Sequence, residues 1–104
     1  MASLLHRHEL PPPAFQHEVR AVDGRFVGRV DFAYPSQLLA LEVDGLDAHG
    51  SADALQRDLI RQNALVSAGW TVLRFTWNDV VRSPTKVVSD IERRLRRLAL
   101  DRGA

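Results

Sequence analysis

Three acids stand where their carboxylates can act together. Asp31 sits between Val30 and Phe32, and Glu42 and Asp44 lie two apart in the run Leu38 to Asp44. Residues two apart on a strand leave the same face, and a hairpin joining the two runs brings Asp31 alongside them. Acids inside apolar strands are costly unless they are paired or bind a cation. A hard divalent ion such as Mg²⁺ or Mn²⁺ meets that need, because it takes one or two carboxylates, keeps several waters and accepts phosphate oxygens. Such an ion polarises a phosphodiester and lowers the pKa of an attacking water. The alternative is that Glu42 and Asp44 are exposed strand acids paired with Arg29 or Arg74. His49, in the loop that follows, is a candidate general base or outer contact, or a solvated loop histidine. His6, His8 and His17 have no partner at metal-ligand spacing.

The elements that must hold these acids follow from local pattern. Phe15 to Val22 and Arg25 to Ala33 read as strands about an Asp23-Gly24 turn, a strong hairpin signal. Tyr34 to Gln37 makes a second turn, and Leu38 to Asp44 a third strand with Leu39, Leu41 and Val43 on one face. Gly45 to Ser51 is a loop. Ser51 or Asp53 caps a helix running to about Ser67, with Ala52, Leu55, Leu59 and Val66 as its expected buried stripe and Gln62 interrupting it. Arg57, Asp58 and Arg61 share a different face, where Asp58 is expected to pair with Arg61 or Arg57 and turn it toward the acids. Trp70 to Thr76 is a fourth strand and Asn78 to Arg82 a turn. Ser83-Pro84 then opens a helix with Val87, Val88, Ile91, Leu95 and Leu98 inward and Arg93, Arg94, Arg96 and Arg97 outward. Ahead of all this, residues 1–9 make one or two helical turns, stopped by Pro11-Pro12-Pro13.

Composition sets the outer bounds. At 104 residues with 45% hydrophobic content, the chain supports one core and is not compositionally disordered. It has no apolar run long enough to span a bilayer and no signal-peptide pattern, so no membrane partner and a cytoplasmic location are expected. The absence of cysteine removes disulfides, thiolate zinc sites and thiol nucleophiles. Fourteen basic against thirteen acidic residues neither demand nor forbid a nucleic-acid partner. All the basic residues but Lys86 are arginine.

Four ordered blocks carry a resemblance. Arg29-Val-Asp31-Phe-Ala-Tyr, Leu41-Glu42-Val-Asp44-Gly45 with His49, Arg57-Asp58-Leu-Ile-Arg61-Gln-Asn-Ala-Leu65, and Gly69-Trp70-Thr-Val-Leu-Arg74-Phe75 together resemble an endonuclease-like domain family related to very-short-patch repair endonucleases, of the PD-(D/E)XK restriction-endonuclease-like fold. The resemblance covers roughly Leu10 to Leu95. It implies an α/β fold with a mixed four-stranded sheet in β-β-β-α-β order, flanked by helices. A short N-terminal segment over 1–13 would be a truncated helix and proline break, and 14–104 a single domain.

The resemblance also implies a metal site at Asp31 and Glu42, with the Val43 carbonyl as a further ligand and Mg²⁺ (or Mn²⁺) as cofactor; Asp44, on the face of Glu42, is expected to orient a metal-bound water or hold a second ion. Arg57, Asp58 and Arg61 match a cleft-lining helix motif, Gln16 a polar position on the first strand, and Arg74 one on the fourth. Asp44 stands where the fold usually has a lysine, and Arg61 or His49 would have to fill that role. The implied function is metal-dependent hydrolysis of DNA phosphodiesters, with RNA also compatible. The alternative is a catalytically silent domain of the same fold that binds nucleic acid or a protein partner in a toxin–antitoxin or mobile-element system. Similar domains also stand at the C-terminal end of abortive-infection antitoxins, so a partner domain in front of this chain is compatible. Oligomeric state is left open.

Overall fold

A computed structural model describes residues 1–44 and 51–103, the last three by their backbone. The elements are α1 (Ala2–Arg7), β1 (Ala14–Arg20), β2 (Phe26–Tyr34), β3 (Leu39–Asp44), α2 (Ala52–Ser67), β4 (Thr71–Thr76), α3 (Trp77–Arg82) and α4 (Pro84–Gly103), with a 3₁₀ turn at Pro35–Gln37 between β2 and β3. The sheet runs β1-β2-β3-β4, antiparallel across the first three strands and parallel between β3 and β4. The α2 crossover makes that parallel pair possible. The fold is thus a mixed four-stranded sheet flanked by helices.

The element order departs from the expected β-β-β-α-β. The short leading helix matches the helical turns expected over residues 1–9, but α3 occupies the stretch expected as a turn at Asn78 to Arg82. The Thr76 hydroxyl accepts from the Asp79 amide while the Asp79 carboxylate accepts from the Thr76 amide. That reciprocal cap turns a polar stretch into a helical turn.

Two cores lie on either side of the sheet. Leu39, Leu41 and Phe75 pack with Val87, Val88 and Ile91 of α4 and with Leu4 and Leu5 of α1. Ala33, Ala40 and Trp70 pack with Val19, Val30 and Leu65 of α2. Leu65 is the fully enclosed residue of α2, and truncating such a leucine costs about 2–5 kcal/mol. The expected stripe is not the buried one. Leu55, Leu59 and Val66 are 59%, 47% and 55% exposed, and Ala52 is exposed too. The helix instead turns Asp58, Arg61, Gln62 and Leu65 to the sheet. Polar partners on β3 and β4 outweigh apolar patterning here, because the buried Glu42 demands a cation above it and Arg74 draws Asp58 and Gln62 to the sheet.

The sheet is distorted where the site begins. In the β1–β2 ladder, Gln16 and Asp31 fall between the Phe15–Phe32 and His17–Val30 pairs. Gln16 has φ 46, a left-handed conformation that costs a non-glycine residue about 1–2 kcal/mol. Phe15 stacks edge-on against Phe32 at 5.4 Å, and Phe32 packs on the α4 core. His17 instead lies 5.6 Å from Trp70, in the α2 core. Regular alternation would put residues 15 and 17 on one face, so the strand changes face at Gln16.

Candidate functional site

Asp31 and Glu42 sit where β2 and β3 part. Their ladder pairs Tyr34 with Leu39, Ala33 with Ala40 and Phe32 with Leu41, and then ends. In place of a further backbone rung, the Val43 amide donates to Asp31 Oδ2 at 3.0 Å. A side-chain carboxylate thus satisfies a strand N–H and opens a fork between the strands.

Glu42 is 7% exposed, the buried charged residue among those described. Arg61, from α2, donates through Nη2 to Glu42 Oε1 at 2.5 Å. Burial, foremost, pushes the Glu42 carboxyl above the usual range; Arg61 pulls it back, and the Asp31 charge adds to the rise. The other terminal nitrogen of Arg61, Nη1, is buried with no partner among the described residues. Gly28 gives this arginine its room: a Cβ there would meet Arg61 Cγ at 3.4 Å and Cδ at 3.6 Å.

Arg74 of β4 makes a second centre. Its Nε and Nη2 donate to Asp44 Oδ2 and Oδ1 at 3.2 and 3.0 Å, and its Nη1 donates to Asp58 Oδ2 and Gln62 Oε1 at 2.6 and 2.8 Å. Hydrogen bonding to Asp44 above all, then to Asp58, raises the Arg74 pKa further above its ordinary value. The arginine therefore ties β3 and α2 to β4.

The structure separates the expected residues into these two groups. Asp31, Glu42, Val43 and Arg61 come together at the fork. Asp44 turns to Arg74, the pairing weighed as an alternative, while Arg29 pairs with Glu18 instead. Asp58 pairs with Arg74 rather than with Arg61 or Arg57, because the short aspartate reaches the neighbouring strand from the sheet-facing side of α2. Arg57 is exposed, on the outer side of the helix. Gln16 lies opposite Asp31 in the strand distortion. His49 and Gly45 lie outside the described residues. The three carboxylates do not crowd one point: among the described residues, no group of three or more His, Cys, Asp or Glu side chains is placed to hold a metal ion. Gln62 and Gly28 were not expected at the site. The interruption of the apolar stripe at Gln62 was the available signal; nothing in the spacing marked Gly28.

Residues 16–95, which include every fork and clamp residue named above, match the family model REase_MTES_1575. The chain belongs to that restriction-endonuclease-like family. Two Mycobacterium tuberculosis proteins, "Uncharacterized protein MT2308" of strain CDC 1551 / Oshkosh and "Uncharacterized protein Rv2248" of strain ATCC 25618 / H37Rv, are each 34% identical to it over 90 residues. Those alignments cover 86% of this chain and 33% of each relative, so the chain spans about a third of the length of the relatives it matches. No solved structure matches. Among the described residues, no helix is long and apolar enough to cross a membrane.

Proposed function

We propose that this REase_MTES_1575 domain is a nuclease that hydrolyses DNA phosphodiesters with a divalent cation held by Asp31 and Glu42. The observation that carries the reading is the strand fork, where Asp31, on the Val43 amide, lies near the buried Glu42, which is paired with Arg61. The donor set suits Mg²⁺ or Mn²⁺, which need only one or two carboxylates and otherwise keep water. It does not suit an ion that requires an all-protein cage, given the absence of a larger ligand cluster among the described residues. When bound, such an ion supplies charge to the phosphodiester and acidifies an attacking water.

The chain's own groups do the rest. Asp31 is fixed by the Val43 amide and Glu42 by the surrounding core, so both carboxylates are held in place before substrate arrives. Arg61 brings a planar cation of the kind that recognises phosphate oxygens, and it takes the place of the lysine that Asp44 replaces. Arg74 keeps Asp44 and α2 in register with the sheet. A relation to very-short-patch repair endonucleases is part of this proposal, supported by the four sequence blocks.

Nicking of supercoiled plasmid in Mg²⁺ or Mn²⁺ tests the reading. Wild type is expected to cut, and Asp31→Asn and Glu42→Gln to lose at least about a hundredfold in rate. An RNA of matched length tells the two substrates apart. The pairing of Asp44 with Arg74 and of Glu42 with Arg61 favours one competing reading, a silent nucleic-acid-binding or partner-binding domain. Retained DNA binding without cleavage in either metal would establish it.

A further inference from the structure

We infer that Arg61 and a divalent cation compete for Glu42, so that Arg61 is the resident counter-ion of the metal-free site and swings to the substrate phosphate when the site is loaded. The inference rests on the cation reading above.

Two arginines, Arg61 of α2 and Arg74 of β4, pair with acids of β3, and they are held in opposite ways. Arg74 spends its three nitrogens on Asp44, Asp58 and Gln62 and spans two secondary-structure elements. Arg61 makes one carboxylate bond, through Nη2, and leaves Nη1 buried without a partner among the described residues. A guanidinium is best satisfied by a two-pronged bond to a carboxylate or phosphate, so the Arg61 pose is an incomplete one. An unsatisfied buried donor is itself costly. The carboxylate partner of Arg61 also feels the nearby Asp31 charge, while the other cation acting on Glu42, Arg74, is bonded to Asp44 and Asp58.

The surroundings permit release. Arg61 is 28% exposed along its side chain while Glu42 is 9% exposed, so the arginine has a way out and the glutamate does not. Its stem crosses Gly28, where no side chain blocks it. Asp58 and Gln62, which flank Arg61 on the helix, are anchored to Arg74. The helix therefore stays in place and only the Arg61 side chain has to move. Freed from Glu42, both of its terminal nitrogens can meet an anionic oxygen pair, which is the geometry a phosphodiester offers.

The test is calorimetric titration of Mn²⁺ alone into metal-free protein, with circular dichroism as a control for folding. Arg61→Gln is expected to bind Mn²⁺ about tenfold tighter than wild type, because the ion no longer displaces a charge-assisted bond. Arg61→Lys is expected to fall between the two. In wild type, Mg²⁺ is also expected to shift the Arg61 Nε–H NMR signal. Should Arg61→Gln not fold, Gly28→Val, which crowds the stem, is expected to tighten Mn²⁺ binding in the same direction. Equal or weaker Mn²⁺ binding by a folded Arg61 variant overturns the inference and leaves the cation reading standing. No binding by wild type or by any variant at millimolar Mn²⁺ overturns both.

Discussion

Asp31 accepts the Val43 amide at 3.0 Å, and at that bond strands β2 and β3 stop pairing. One carboxylate oxygen therefore serves the backbone, so the residue has a structural and a chemical role that substitution can divide. Asn keeps an oxygen acceptor for the amide and removes the charge; Ala removes both. Asp31→Asn is expected to hold stability within about 0.5 kcal/mol of wild type, and Asp31→Ala to lose about 1–2 kcal/mol. Amide exchange at Val43 should accelerate in Asp31→Ala and stay slow in Asp31→Asn. Fast exchange in both would show that the charge, not the acceptor, holds the fork.

Gln16 tests the strand distortion that lies opposite. A β-branched residue favours strands but tolerates φ 46 poorly, whereas Asn tolerates it well. Gln16→Val is therefore expected to destabilise by about 1–2 kcal/mol and Gln16→Asn to be nearly neutral. Denaturant unfolding separates them. A stabilised Gln16→Val would mean that the strand runs straight through this position.

Arg74 joins two acids and a glutamine across β3, β4 and α2. The groups are about a third exposed, so solvent screens them, and Arg74→Ala is expected to cost about 1–2 kcal/mol. Arg74→Lys should recover little of that, because an ammonium cannot reproduce the two-pronged bond to Asp44 and reach Asp58 as well. Equal unfolding midpoints for Lys and Arg would reduce the clamp to a simple point charge.

Tyr34 gives the pH dependence. Burial raises its pKa from 10.0 to about 12, and its hydroxyl donates to the Pro11 carbonyl at 2.8 Å. The native state then holds its proton where the unfolded chain releases it. This contribution to stability is complete below pH 10 and is lost as pH rises toward 12. Tyr34→Phe is expected to flatten that fall. The chain has a single tyrosine, so tyrosinate absorbance reports this residue alone; titration at the ordinary value in folded protein would contradict the assignment.

Much of the positioning was legible in the residues. Alternation in Leu39 to Asp44 separated the α4-facing leucines from the face that carries Glu42, and Ser51 marked the start of α2, where its hydroxyl accepts the Ala54 amide. The helix face is not legible, because Leu55, Leu59 and Val66 repeat at helical spacing and spacing alone does not say which stripe meets the sheet. Gln62 carried the contrary sign, since a polar residue within that stripe finds its partner only on Arg74. The Asn78 to Arg82 helix was hidden for a related reason: its reciprocal cap depends on Thr76, which ends a strand. The left-handed Gln16 left no trace in composition, because it is set by its place opposite Asp31 in the β1–β2 ladder and not by its own residue type.

The most direct test of the central claim is Mn²⁺ titration followed by amide NMR. Paramagnetic broadening is expected first at residues 31 and 42–44 and at Arg61, with Glu42→Gln abolishing it. Uniform or absent broadening at millimolar Mn²⁺ would contradict a cation site at the Asp31–Glu42 fork.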